Sequence, residues 1–227
     1  MKVLVTGTDG YIGAVLGPTL LDRGHQVVGV DGGFYRDGWL FNDQKSRPLT
    51  LSRDIRHLTT ADVTGFDAVV HLAELSNDPL GDLDERITYD INHRGSVRLA
   101  QTCKAAGVRR FVYASSCSVY GAAEDGGERT EESAPNPQTA YAKCKVLVER
   151  DVGALADERF APTFLRNATA FGASPRMRFD IVLNNLAGLA WTTRQIKMTS
   201  DGTPWRPLVH VNDICQAVAL ALEAPVG

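Results

Sequence analysis

The chain alternates between two hydrophobic periods. Lys2-Val3-Leu4-Val5-Thr6 is a β-branched, apolar run that predicts a strand, and Ala14 to Leu21 carries the closer spacing of a helix. Gln26 to Val30 repeats the strand pattern and ends in Asp31. An irregular stretch, Gly32 to Thr50, follows, broken by Gly33, Gly38 and Pro48. Further strands are predicted at Leu49–Asp54, Asp67–Ala73, Arg109–Ser115 and Phe160–Arg166, with helices at Asp84–Ala106 and Tyr141–Leu155 between them. Asp67–Ala73 has the near-continuous apolar character of a strand buried on both faces. Strands separated by helices imply an α/β, doubly wound parallel sheet, because each right-handed crossover needs a helix to bring the chain back. Beyond Gly172 the pattern changes to a basic loop with Arg176 and Arg178, a helix over Phe179–Trp191, a short strand at Gln195–Thr199 and a final helix at Val211–Ala224.

Composition narrows the class. With 227 residues, 44% hydrophobic and 22% charged, the chain reads as a soluble globular protein able to bury a large core. A net charge of −3 gives no reason to expect nucleic acid or an anionic membrane as partner. The sequence holds no long uninterrupted apolar run and enters a strand at once, so neither a membrane span nor a signal peptide is expected. Cys103, Cys117, Cys144 and Cys215 show no metal-ligand spacing, so no metal is expected, and free thiols suit a cytoplasmic location.

The first strand ends at Gly7, and Gly10 and Gly13 follow at three-residue steps before the helix. Such a turn suits a pyrophosphate: the first glycine permits the bend, the second the close approach of the anion, and the third tight packing of helix on strand. Backbone N–H groups and the helix dipole then favour the negative charge. Three glycines alone also fit an ordinary tight turn, and Asp31 alone also fits a solvated loop acid. Their order, with Asp31 at the end of the second strand, matches a dinucleotide site of Rossmann type, where the acid binds an adenosine ribose. A carboxylate there repels a 2′-phosphate and so favours NAD over NADP.

Ligands of open α/β sheets bind at the carboxyl ends of strands, which nominates the loop Ser115-Ser116-Cys117-Ser118-Val119-Tyr120-Gly121. Further on, Tyr141 and Lys145 stand four apart at the start of a helix and share a face. A phenol is a poor base near neutrality, and a neighbouring ammonium together with the positive nicotinamide ring of an oxidised cofactor is expected to lower its pKa toward the working range. The bland reading has Tyr141 anchoring the helix and Lys145 on the surface.

With these motifs in order, the chain resembles the extended short-chain dehydrogenases/reductases, in the branch of NAD-dependent nucleotide-sugar epimerases and dehydratases. The resemblance implies a Rossmann-type NAD-binding domain over residues 1–166. It places a small, incomplete substrate-binding region at 167–227, with about 207–224 returning to the first domain. It assigns Gly7, Gly10, Ile12 and Gly13 to the pyrophosphate, Tyr11 to the cofactor, Asp31 to the ribose, and Asp54 with Ile55 to the adenine. Leu72, Ala73, Asn92 and Ser115 fall beside the cofactor, and so does Glu74, which departs from the family's second alanine in His71-Leu72-Ala73-Glu74. The catalytic set is Ser116, Tyr141 and Lys145; Ser118, Arg178, Asn185 and Arg206 are assigned to the substrate. A homodimer is also implied, as is a substrate segment that in the family continues past the residue where this sequence stops.

Departures weigh on the reaction. Family 4,6-dehydratases carry Asp-Glu where this chain has Cys117-Ser118, and the related decarboxylases keep the glutamate. The expected activity is therefore epimerisation of a nucleotide-diphosphate sugar, by transient oxidation, commonly at C4, and return to the opposite face. A net 4-keto-sugar reductase is the alternative, ahead of a dehydratase or decarboxylase and of a non-catalytic NAD-binding regulator. Arg176 and Arg178 could select a carboxylated sugar, meet the diphosphate, or sit in solvent.

Overall fold

Six strands four to seven residues long, joined by crossovers, assemble here into one parallel sheet. The structure, a computed structural model, describes residues 1–42, 46–76, 84–122, 127–198, 200–203 and 205–225. In chain order its elements are β1 (Lys2–Thr6), α1 (Gly13–Asp22), β2 (Gln26–Asp31), β3 (Leu49–Ser52), α2 (Thr60–Val63), β4 (Ala68–His71), α3 (Glu85–Thr88) and α4 (Ser96–Ala105). There follow β5 (Arg110–Ser116), α5 (Ala140–Gly153), β6 (Ala161–Asn167), β7 (Thr169–Phe171), α6 (Val182–Thr193), β8 (Leu208–His210) and α7 (Val211–Glu223).

The sheet order is β3-β2-β1-β4-β5-β6, every pairing parallel. The chain steps outward from β1 to β3 and then back across to β4, so the direction of winding reverses between β1 and β4. At such a switch point the carboxyl ends of neighbouring strands part and leave a crevice.

Alternation along β1 divides the core into two layers. Leu4 faces Val69, Leu99, Phe111, Val148 and Phe160 on the side of α4 and α5. Val3 and Val5 face Leu16, Leu20, Val70, Cys215, Val218 and Leu222 on the side of α1 and α7. Thus α7, far along the chain, closes the layer that α1 begins.

Four elements depart from the sequence prediction. The helix predicted over Asp84–Ala106 is interrupted by a widened, π-type turn, Tyr89–Gly95. The strand predicted at Leu49–Asp54 ends at Ser52, because Asp54 caps a 3-10 turn, its side chain accepting from the Arg56 N–H. The helix predicted from Phe179 starts at Val182. No strand forms over residues 195–198, where no partner strand lies alongside, and Thr199 lies outside the described residues. In its place a small parallel pair joins β7 to β8, a non-local pairing that sequence periodicity does not reveal. Among the described residues no helix is long and apolar enough to cross a membrane, and no cluster of three or more His, Cys, Asp or Glu is gathered for a metal ion.

Candidate active site

The crevice between β1 and β4 is floored by the glycine turn. Gly7 has φ +78°, and a Cβ there would lie 2.9 Å from the Ala73 nitrogen. At Gly13 a Cβ would lie 2.0 Å from the Gly7 oxygen, so the first turn of α1 packs directly on the loop. A Cβ on Gly10 would meet only the Gly7 oxygen, at 3.3 Å. The space above Gly10 is otherwise open to a ligand. No acidic residue stands in the first turn of α1 to oppose an anion. Leu72 and Ala73 are pinned beside the turn because their N–H groups donate to Thr6 Oγ1, at 3.2 and 3.3 Å. At the end of β2, Asp31 accepts from the Asp9 N–H at 3.0 Å and the Gly33 N–H at 2.8 Å, which fixes its carboxylate at the rim. A glycine cradle that any side chain would fill, a helix N-terminus free of acids and a fixed carboxylate at the next strand end fit a dinucleotide.

Other residues named for the cofactor are otherwise engaged. Tyr11 donates its hydroxyl to the Gly172 carbonyl at 2.8 Å and accepts from Asn184 Nδ2 at 3.3 Å, tying the glycine loop to the segment after β7. Ile12 packs against the α1-side core. The Asp54 carboxylate is gripped by Arg56, with Nη2 at 2.7 Å, which holds its pKa below the usual carboxylate range, and Ile55 beneath it is buried. Asn92 is fully buried and bonds both the N–H and the carbonyl of Leu75 at 2.8 Å, so the widened turn serves to clamp the loop after β4.

The structure brings Ser116, Tyr141 and Lys145 together. Ser116 ends β5; its hydroxyl accepts from the Ser118 N–H at 3.1 Å and is near enough to Tyr141 to favour the phenolate. α5 starts where the Thr139 side chain caps the Ala142 N–H, at 3.2 Å, and this sets the phase that turns Tyr141 and Lys145 to one side. Lys145 is buried, its Nζ 5.1 Å from the Tyr141 ring centre, and it donates to the Ala114 carbonyl.

Glu74 changes the electrostatics. Its side chain is 3% exposed, and Oε2 meets Lys145 Nζ as an ion pair at 2.5 Å, though without a well-directed hydrogen bond. Tyr113 donates its hydroxyl to Oε1. Burial pushes the Glu74 carboxyl up, and Lys145 pulls it back. For Lys145, burial pulls the ammonium down, but Glu74 and the Tyr141 oxygen more than offset it, leaving the pKa raised. In the chain by itself burial raises the Tyr141 pKa above the ordinary phenol value; Lys145 lowers it, as its spacing predicts, with Ser116 and Arg178, but they do not offset burial, to which Glu74 adds.

The remaining positions divide. Ser115 donates to Glu149, a carboxylate that Arg166 holds with Nη2 at 2.7 Å, so its hydroxyl serves the scaffold. Ser118 Oγ is buried and finds no hydrogen-bond partner among the described residues. Arg178 is held by Asp180 and by Ser76, with Nη1 3.0 Å from Ser76 Oγ, and is close enough to act electrostatically on Tyr141. Arg206 is exposed and acts on Cys117, whose thiol burial pushes up. Asn185 is exposed, its amide donating to the Phe179 carbonyl at 3.0 Å. Its neighbour Asn184, passed over in the sequence, is the buried one, and bonds Tyr11, Arg178 and Gly172.

A family model described as the NAD dependent epimerase/dehydratase family matches residues 3–227. The chain belongs to that family. It is 25% identical over 237 residues to the probable UDP-glucuronate 4-epimerase of Rhizobium meliloti, covering 99% of this chain and 69% of the relative. Among solved structures, MoeE5 in complex with UDP-glucuronic acid and NAD superposes with a TM-score of 0.86 at 29% identity, over 100% of this chain and 73% of that one. DesIV, a dTDP-glucose 4,6-dehydratase from Streptomyces venezuelae with NAD and TYD bound, gives 0.85 at 26%, over 99% and 72%. The protein is thus an NAD-dependent enzyme of the epimerase/dehydratase family, whose members near it catalyse both kinds of reaction.

Proposed function

We propose that the protein is an epimerase of a nucleotide-diphosphate sugar, with a UDP-hexose or UDP-hexuronate as the first candidates. The observation that carries this reading is the convergence of the Ser116 hydroxyl, the Tyr141 phenol and the Lys145 ammonium at the end of β5, beside a glycine cradle suited to NAD. Bound NAD supplies the oxidising and reducing equivalents, so that none is consumed overall. Tyr141 accepts the proton of a sugar hydroxyl and returns it at the end of the cycle, a role that requires hydrogen-bond reach and a tunable pKa. Ser116, beside Tyr141, orients that hydroxyl. Lys145 keeps a positive charge near the phenol oxygen, and Gly7, Gly10 and Gly13 with Asp31 hold the dinucleotide.

The loop after β5 supports epimerisation over dehydration. Loss of water needs an acid and a base beyond the tyrosine, and the positions after Ser116 hold Cys117 and Ser118, neither of them a carboxylate. The Cys117 thiol, pushed up by burial, is a poor base. Ser118 Oγ, buried and without a hydrogen-bond partner among the described residues, suits a sugar hydroxyl. Arg206 and Asn185, both exposed donors, suit a diphosphate.

Incubation of the purified protein with a set of UDP-sugars, followed by chromatography that separates isomers of equal mass, tests the reading. Interconversion without added NADH is expected. Stoichiometric oxidation of NADH would identify a reductase, and a product lighter by one water a dehydratase; either would overturn epimerisation.

A further inference from the structure

Lys145 stands beside Tyr141, but it also stands against a buried carboxylate that the sequence places where the family resemblance puts alanine. The Glu74 side chain is 3% exposed and its Oε2 lies 2.5 Å from Lys145 Nζ. Its other oxygen accepts from Tyr113, and the Lys145 ammonium also donates to the Ala114 carbonyl and stands beside Tyr141. The ammonium thus donates to Ala114, pairs by charge with Glu74 and lies 5.1 Å from the Tyr141 ring centre. Lys145 with Glu74 carries no net charge. Ionising Tyr141 beside that neutral pair places an uncompensated anion in a partly buried site, whereas beside a lone ammonium it would form an ion pair.

We propose that Glu74 is a positioning residue that neutralises Lys145, and so keeps the Tyr141 phenol protonated and poised to give its proton as well as to take one. The inference rests on the reading of Tyr141 as the acid–base group of the site. The groups that face Tyr141 are few: Lys145 on α5, Ser116 and Tyr113 on β5, Glu74 after β4 and Arg178 from the segment before α6. Of these, Arg178 is already paired with Asp180, at 2.5 Å, and Ser116 is neutral. His71, which also feels Lys145, is uncharged at neutral pH because burial holds its pKa at about 3. Glu74 is thus the one anion close to Lys145 and Tyr141 among the described residues, and removing its charge leaves Lys145 facing the phenol unopposed.

The experiment follows tyrosinate absorbance through a pH titration of the full-length protein as purified, with matched cofactor content. Wild type, Glu74→Gln and Glu74→Ala are each compared with the same protein carrying Tyr141→Phe. The difference isolates one phenol out of the six tyrosines in the chain. Removing the Glu74 charge is expected to raise the acidity of Tyr141 by at least about tenfold, a shift of about one pH unit, the low end of what a nearby unit charge does. Both variants should agree, and the acid limb of any pH–rate profile should move down with them. A Tyr141 midpoint that stays put, or rises, in variants that still fold overturns the inference. That result would leave the epimerase reading standing. A lowered midpoint with no turnover of any UDP-sugar would do the reverse.

Discussion

Tyr113 and Ser115 stand two apart on β5 and so face the same way, toward α5. Each donates its hydroxyl to a carboxylate that is paired with a cation: Tyr113 to Glu74, which meets Lys145, and Ser115 to Glu149, which meets Arg166. Lys145 and Glu149 are one turn apart on α5. The parts are nearly the same, and the outcomes differ because of the cation and of what lies next to it. Arg166 is held by Glu149 first and keeps its proton at any working pH; its remaining donors go to Tyr120 and the Glu131 carbonyl, at 2.8 and 3.1 Å. Every polar group there has a fixed partner, which makes a scaffold for the loop carrying Ser116. Lys145 instead faces both a carboxylate and an ionisable phenol.

The sharpest way to break this comparison is to exchange the phenols. Tyr141→Phe should lower turnover by at least about a hundredfold, within the range of an acid–base residue. Tyr120→Phe, which removes one hydrogen bond from Arg166, should change turnover less than about threefold and cost roughly 1 kcal/mol of stability. Steady-state rates on the substrate found in the sugar screen, with urea unfolding of each variant, would decide. Equal losses of activity would mean that the two clusters act alike.

A second difference is in acid. His71 lies under Tyr113, ring centres 5.7 Å apart, with Nδ1 2.7 Å from Thr6 Oγ1 and Nε2 2.8 Å from Ser96 Oγ. Burial depresses its pKa to about 3, against 6.5 in the unfolded chain. Between those values the unfolded state binds the extra proton, so stability falls as pH falls, with a slope that approaches about 1.4 kcal/mol per unit well below 6.5 and totals about 2.3 kcal/mol from pH 6.5 to 4.5. Other groups titrate too, among them Glu74 with the opposite sign, so the check is the difference between wild type and His71→Gln in urea unfolding at each pH. The slope between pH 4.5 and 6.5 should be shallower in the variant by that amount. Identical slopes would show that the ring is protonated in the folded state.

How much of this could be read from the sequence follows from the range of the interactions. Gly7, Gly10, Gly13 and Asp31 belong to one strand–turn–helix–strand unit, and Tyr141 and Lys145 to one helix face; local spacing is enough to find them. Glu74 is visible in the sequence only as an odd residue in a familiar stretch, because its partner Lys145 comes from an element far along the chain. Burial of Tyr141 is likewise a tertiary fact: spacing finds the Lys145 that lowers its pKa and misses the burial that raises it. The adjacent pair Asn184-Asn185 gave no sign of which would turn inward. That depends on α6 beginning at Val182, and the start of a helix is the least legible part of it. The pairing of β7 with β8, and the widening of the turn that carries Asn92, were hidden for the same reason.

Removing Glu149 should cost less than acid does. Glu149→Ala strands the Arg166 guanidinium and the Ser115 hydroxyl together. The pair is partly open to solvent, with side chains 22% and 13% exposed, so the loss should be about 2 kcal/mol, short of the value for a sealed ion pair. Urea unfolding at neutral pH measures it, and a change under about 0.5 kcal/mol would mean the network adds nothing to the fold.

The smallest effect is the most telling about geometry. Arg166→Lys keeps the positive charge beside Glu149 but replaces a planar fork with a single ammonium. Arg166 now reaches both Glu149 oxygens, through Nε at 3.1 Å to each and Nη2 at 2.7 Å to Oε2, while Nη1 serves Tyr120 and Glu131. A lysine has no second arm to span these groups, so the Coulomb attraction survives and one or two hydrogen bonds do not. The expected cost is about 1 kcal/mol, or a fall in Tm of about 2–4 °C for a chain of this size. If the lysine variant melts with wild type, charge alone holds the scaffold. The contrast with Lys145 would then rest on the neighbouring phenol and not on the shape of the cation.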